Sequence, residues 1–96
     1  MTTDQVYDAI SIIDIPVATN EESAVKASAM VVARDDILRL LLDRPFDDPE
    51  EILWEFCVEM EFLAQSLKSC GQTNPYLIAN DYAETILAMI EYPRDE

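Results

Sequence analysis

Histidine is absent from this 96-residue chain, glycine occurs once and cysteine twice, and only six lysines and arginines face twenty aspartates and glutamates. Without histidine the commonest general base, proton shuttle and metal ligand is missing, which removes most hydrolytic constellations. A single glycine, Gly71, cannot build a phosphate-cradling loop. Cys57 and Cys70 fall in one predicted helix about 20 Å apart, too far for a disulfide. Neither belongs to a paired zinc motif, and both lie in an apolar arc that raises a thiol pKa. Nucleophilic catalysis is therefore not expected. Met60 and Met89, at helical spacing, read as core filler.

Long apolar runs are also missing. Ala29 to Ala33 and Leu40 to Leu42 fall far short of the roughly 20 residues that cross a bilayer. Met1, Thr2, Thr3 and Asp4 put no basic residue ahead of an apolar run, so no signal peptide is expected and the cytosol is the default location. The acidic run Asp47, Asp48, Glu50 and Glu51 lacks the glycine and ligand alternation of a calcium-binding hand, leaving at most a weak cation site. Paired carboxylates can act as acid and base in a cleft, but a bundle this small implies no pocket. The expectation is a protein that is not an enzyme, with no cofactor and no metal.

What is present is half apolar residues, enough for one core, so residues 1–96 are expected to form a single helical domain. The formal net charge of −14 repels nucleic acid and anionic membranes and attracts basic surfaces.

Start and stop signals predict four helices. Thr2 and Gln5 have capping-box spacing, and Val6, Ala9, Ile10 and Ile13 follow at helical spacing until Ile15 meets Pro16. Ile10 to Val17 also fits a short strand. Thr19 and Glu22 form a second capping box opening a long helix to about Arg44, which Pro45 ends. Asp48, Pro49, Glu50 and Glu51 start a third helix that runs through Cys70 to Gly71. Asn74 and Pro75 start a fourth, ended by Pro93. The expected fold is all-α: a small antiparallel bundle built on a long hairpin of helices two and three, partly covered by the shorter helices one and four.

On helix three, Leu53, Phe56, Cys57, Met60, Leu63, Ala64 and Leu67 share one arc, the expected core face. Trp54, Val58 and Phe62 form a second apolar stripe at four-residue spacing. Two readings stay open for it. Either helix three is central and helix one or the Pro45-Phe46 turn covers the stripe, or Trp54 and Phe62 are interface anchors for a second copy or a target. Helix two is apolar nearly all round in its first half and should be buried on more than one side. Arg34 projects into its core arc and needs an acidic partner, a route to water or a dimer seam. In helix four, Ala79, Tyr82, Ala83, Ile86, Met89 and Ile90 form the core face, opposite Asn80, Glu84 and Glu91.

Beside the second stripe, Glu51, Glu55 and Glu59 recur at four-residue spacing without a compensating lysine, and Asp47 and Asp48 extend the negative patch. Like charges at this spacing destabilise a helix by about 0.2–0.5 kcal/mol per pair. The first-turn acids favour the helix N-terminus, which accounts for Glu50 and Glu51 but not for Glu55 or Glu59. Successive carboxylates sit roughly 6 Å apart, close to the phosphate spacing along one nucleic-acid strand. The expected binding surface is therefore Asp47, Asp48, Glu51, Glu55, Glu59, Trp54, Val58 and Phe62. The expected partner is a basic surface on a nucleic-acid-binding protein, with no direct contact to nucleic acid or membrane. In physical logic this resembles anti-restriction and anti-CRISPR proteins and nuclease-toxin immunity proteins, although no motif matches either. The rival expectation is a structural or assembly protein that forms a homodimer or larger homo-oligomer through the stripe.

Overall fold

A computed structural model describes residues 2–67 and 74–91. Among these, four α-helices and no strand are present: α1 (Thr3–Ile12), α2 (Glu21–Asp43), α3 (Pro49–Ser66) and α4 (Pro75–Glu91). The all-α bundle follows the sequence, and its caps explain where each helix begins. Thr2 and Gln5 form the predicted reciprocal cap, with the Thr2 N–H donating to Gln5 Oε1 at 2.7 Å and the Gln5 N–H donating to Thr2 Oγ1 at 3.2 Å. The helix ends at Ile12 rather than Ile15, because Ile13 turns extended at φ −76° and ψ 115° ahead of Pro16. The strand alternative fails through Ile12.

The start of α2 lies one residue later than the sequence signal. Asn20, not Thr19, is the cap, and Ser23, not Glu22, reciprocates. The Ser23 hydroxyl oxygen accepts from the Thr19 and Asn20 N–H groups at 2.8 and 3.0 Å, while Asn20 Oδ1 accepts from the Ser23 N–H. One hydroxyl thus satisfies two backbone donors, which a Thr19–Glu22 box does not do. At the start of α3, Asp48 accepts from the Glu50 N–H at 3.0 Å and Pro49 takes the first helical position, as expected.

Regular α3 ends at Ser66, so its 18 residues span about 27 Å. The predicted stop at Cys70 and Gly71, and that at Pro93, lie outside the described residues. A buried side chain just ahead of the next helix, that of Asn74, supplies partners at the α3 terminus. Asn74 Nδ2 donates to the Ala64 and Leu67 carbonyls at 2.9 and 3.1 Å, and its Oδ1 accepts from the Tyr76 N–H at 3.0 Å. Asn74 therefore satisfies carbonyls at the end of α3 and a donor at the start of α4.

Packing corrects the expected hairpin. α4, rather than the α2–α3 pair, is the hub: α3 and α2 each pack mainly on α4, α1 packs on it too, and α2 touches α3 less than either touches α4. The core joins Val6 and Ala9 of α1, Met30, Ala33, Ile37 and Leu41 of α2, Leu53, Phe56 and Cys57 of α3, and Ala79, Tyr82, Ala83, Ile86 and Leu87 of α4. Being central, α4 buries Asn80 along with its apolar face, so Asn80 does not lie on an outer face as expected. Its amide donates to Glu84 Oε2 at 3.3 Å, and Glu84 is exposed as expected. α2, on the outside, buries a single stripe and leaves Val32 in its first half exposed, contrary to the expectation of burial there on more than one side. Arg34 finds its route to water there. Its side chain is part-exposed, and its only ion-pair partner among the described residues is the adjacent Asp35, at 3.4 Å.

No helix among the described residues is long and apolar enough to cross a membrane.

Candidate functional site on the outer face of α3

Because α4 covers one side of α3, the helix divides into a closed face and an open one. Leu53, Phe56, Cys57 and Ala64 are buried as the arc predicts, with Met60 packed partly against them. The second stripe is uncovered: Trp54 is 49% exposed, Val58 64% and Phe62 74%. The Pro45-Phe46 turn gives no cover, since Phe46 itself is 98% exposed. Of the two readings of this stripe, coverage by another part of the chain is excluded among the described residues. Trp54, Glu55, Val58, Glu59 and Phe62 together line a shallow, open surface formed by α3 alone.

The acids divide in a way the helical pattern does not reveal. Arg44, at the end of α2, reaches across to α3 and grips Glu55 with two bonds, Nη1 to Oε1 at 2.8 Å and Nη2 to Oε2 at 3.3 Å. Its Nε donates to Asp47 Oδ2 at 2.6 Å. The hydrogen bond from Arg44 holds the Glu55 carboxyl below the usual carboxylate range. The bonds to Glu55 and then Asp47 raise Arg44 in turn. Glu55 and Asp47 are thus compensated, contrary to expectation. Reasoning from lysines at helical spacing missed the arginine because it comes from another helix. Asp48 is engaged in capping α3. Glu51 and Glu59 are exposed and make no ion pair among the described residues. They are eight residues apart, about 12 Å along the axis, so the free carboxylates of this row no longer repeat at phosphate spacing.

At about 100° per residue, Glu50 and Glu61 fall on the opposite edge of the stripe from Glu55 and Glu59. Glu61 is exposed and Glu50 part-exposed. The apolar stripe therefore runs between acids on both sides. The same helical wheel that revealed Glu51, Glu55 and Glu59 carries this second edge, but regular four-residue spacing drew attention to one row only.

Among the described residues, Asp47, Asp48, Glu50 and Glu51 do not form a group of three or more potential metal ligands. The Cys57 thiol is buried and pushed up to about 11, chiefly by burial and then by the nearby Glu84 and Glu61 carboxylates, which makes it a poor nucleophile. Cys70 lies outside the described residues.

No protein-family model, curated protein or solved structure matches the chain.

Proposed function

We propose that this chain is a binding protein that covers a basic protein surface, of the kind that engages nucleic acid, with the outer face of α3. The observation that carries the reading is the exposed Trp54, Val58 and Phe62 stripe set among carboxylates, on a chain of net charge −14. Fully burying one such side chain contributes about 1.5–3 kcal/mol, so the stripe can supply affinity. Exposed charges contribute less at contact but steer encounter and reject acidic partners. The proposed role is that of an inhibitor acting in the cytosol, by masking rather than by catalysis. Anti-restriction, anti-defence and nuclease-immunity proteins are its analogues in physical logic.

The same exposed stripe favours one rival, a homo-oligomeric assembly protein. Against it, a symmetric contact through this face sets Glu51, Glu59 and Glu61 of one copy near those of another.

Affinity capture at low salt, with elution by duplex DNA or RNA, tests the proposal. Basic nucleic-acid-binding proteins should be retained and released by the competitor, and Glu51→Lys with Glu59→Lys should abolish retention. These two positions leave the Arg44 contacts in place. Retention that survives charge reversal, or that nucleic acid does not displace, overturns the reading. A chain that instead self-associates more tightly as salt rises is the assembly protein.

A further inference from the structure

The shape of this face narrows the partner further. Trp54, Val58 and Phe62, three residues at four-residue spacing, form a ridge of about 12 Å on a convex helix. No strand is described whose edge another strand might extend, and the surface is too open to enclose a small molecule. A convex ridge of this type is complementary to the groove between corresponding ridges of a second helix, the commonest way in which helices pack. The carboxylates left free on the two edges, Glu50 and Glu61 on one and Glu59 on the other, then lie opposite the two flanks of whatever helix occupies the ridge. A second copy of α3 presents the wrong charge there.

We infer that the occupant of the outer face of α3 is a basic amphipathic α-helix of another protein, its apolar face on Trp54, Val58 and Phe62 and its lysines and arginines along both acidic edges. This inference rests on the proposed function and specifies which element of the basic partner is covered. Nucleic-acid-binding proteins commonly present a basic helix to the groove or backbone of their ligand. The apolar ridge adds the requirement that the helix also carry an apolar stripe.

Trp54 is the only tryptophan in the chain and sits in the ridge, so its emission reports docking directly. The probe is a helical Leu/Lys peptide with its leucines on one face, roughly 18 residues long to match α3. A peptide of the same length and charge with alanine in place of leucine is the control. The amphipathic peptide should shift Trp54 emission to the blue and form a one-to-one complex by sedimentation, binding at least about 10-fold more tightly than the alanine control. Val58→Ser with Phe62→Ser should weaken it by a similar factor while leaving the circular dichroism unchanged, since both residues are exposed. Ile12→Ser, at an exposed position on α1, should leave binding unaltered.

Equal binding of the two peptides, equal binding by the serine variant, or self-association of the chain through the ridge each overturns the inference. Its failure is distinguishable from that of the proposed function. If a captured nucleic-acid-binding protein depends on Glu51 and Glu59 but not on Val58 and Phe62, the helix inference falls and the masking role stands. If the peptide docks on the ridge but nucleic acid competes with no captured protein, the masking role falls and the helix inference stands.

Discussion

The two faces of α3 are both apolar, yet they meet different fates. Leu53 and Trp54 are neighbours in sequence; the first is closed off from water under α4, whereas the second stands half open beside Glu55. The same contrast separates Cys57 from Val58. Hydrophobic character is therefore not what distinguishes core from candidate interface here. The distinction is made by α4, which lies on one side of α3 and, among the described residues, leaves the other without a neighbour. A monomeric protein tolerates isolated exposed apolar residues, but three in a row on one ridge form a patch of the kind that contacts other molecules.

The sharpest way to break this comparison is to truncate one residue from each face. Leu53→Ala removes a fully buried side chain and should cost about 2–5 kcal/mol of unfolding free energy. Phe62→Ala, on the open face, should change stability by no more than about 0.5 kcal/mol. Urea denaturation of both variants provides the measurement, and equal costs would mean that the outer stripe is covered after all. A smaller effect is expected where the closed face is anchored at its end. Asn74→Ala leaves the Ala64 and Leu67 carbonyls without their side-chain partner and removes the Asn74 acceptor for the Tyr76 N–H, and should cost about 1–3 kcal/mol. Amide exchange should quicken in the last turn of α3 but not in its first. Loss of protection along the whole helix would mean that Asn74 supports the core rather than the helix junction.

The smallest expected effect concerns the open face. Arg44→Gln should let the Glu55 carboxyl titrate upward toward its usual range, followed by NMR of its side-chain carbonyl. Because the folded-state pKa of Glu55 is depressed, its ionised form stabilises the fold above the unfolded-state pKa. That contribution is lost as pH falls through the lower folded value. The difference in stability between wild type and variant should therefore be complete at neutral pH and fade below the ordinary carboxylate range. A difference that persists at low pH would assign Arg44 a packing role instead.

Much of the fold was legible in the residues because its signals are local. Thr2 with Gln5, Asp48 with Pro49, and Asn74 with Pro75 each act within one turn of chain, so they marked helix starts correctly. The second start slipped by one residue because Thr19, Asn20, Glu22 and Ser23 offer competing caps, and hydrogen-bond geometry chose Asn20 with Ser23. The end of helix one moved to Ile12 because the extended conformation begins three residues before Pro16. Of the candidate surface, the acidic row and the stripe could be read from periodicity. The Arg44 grip on Glu55 could not, since it joins residues eleven positions apart on different helices.

What the sequence by itself determined is therefore the set of helices, the two apolar stripes of α3 and the excess of negative charge, all of which follow from residue type and spacing along one chain. Only the tertiary structure decided that α4 is the hub, that Asn80 is buried, that Glu55 and Asp47 are compensated and that Trp54, Val58 and Phe62 face water. Periodicity fixes the direction in which a side chain points from its own helix axis. Whether another helix stands in that direction depends on the packing of the whole chain.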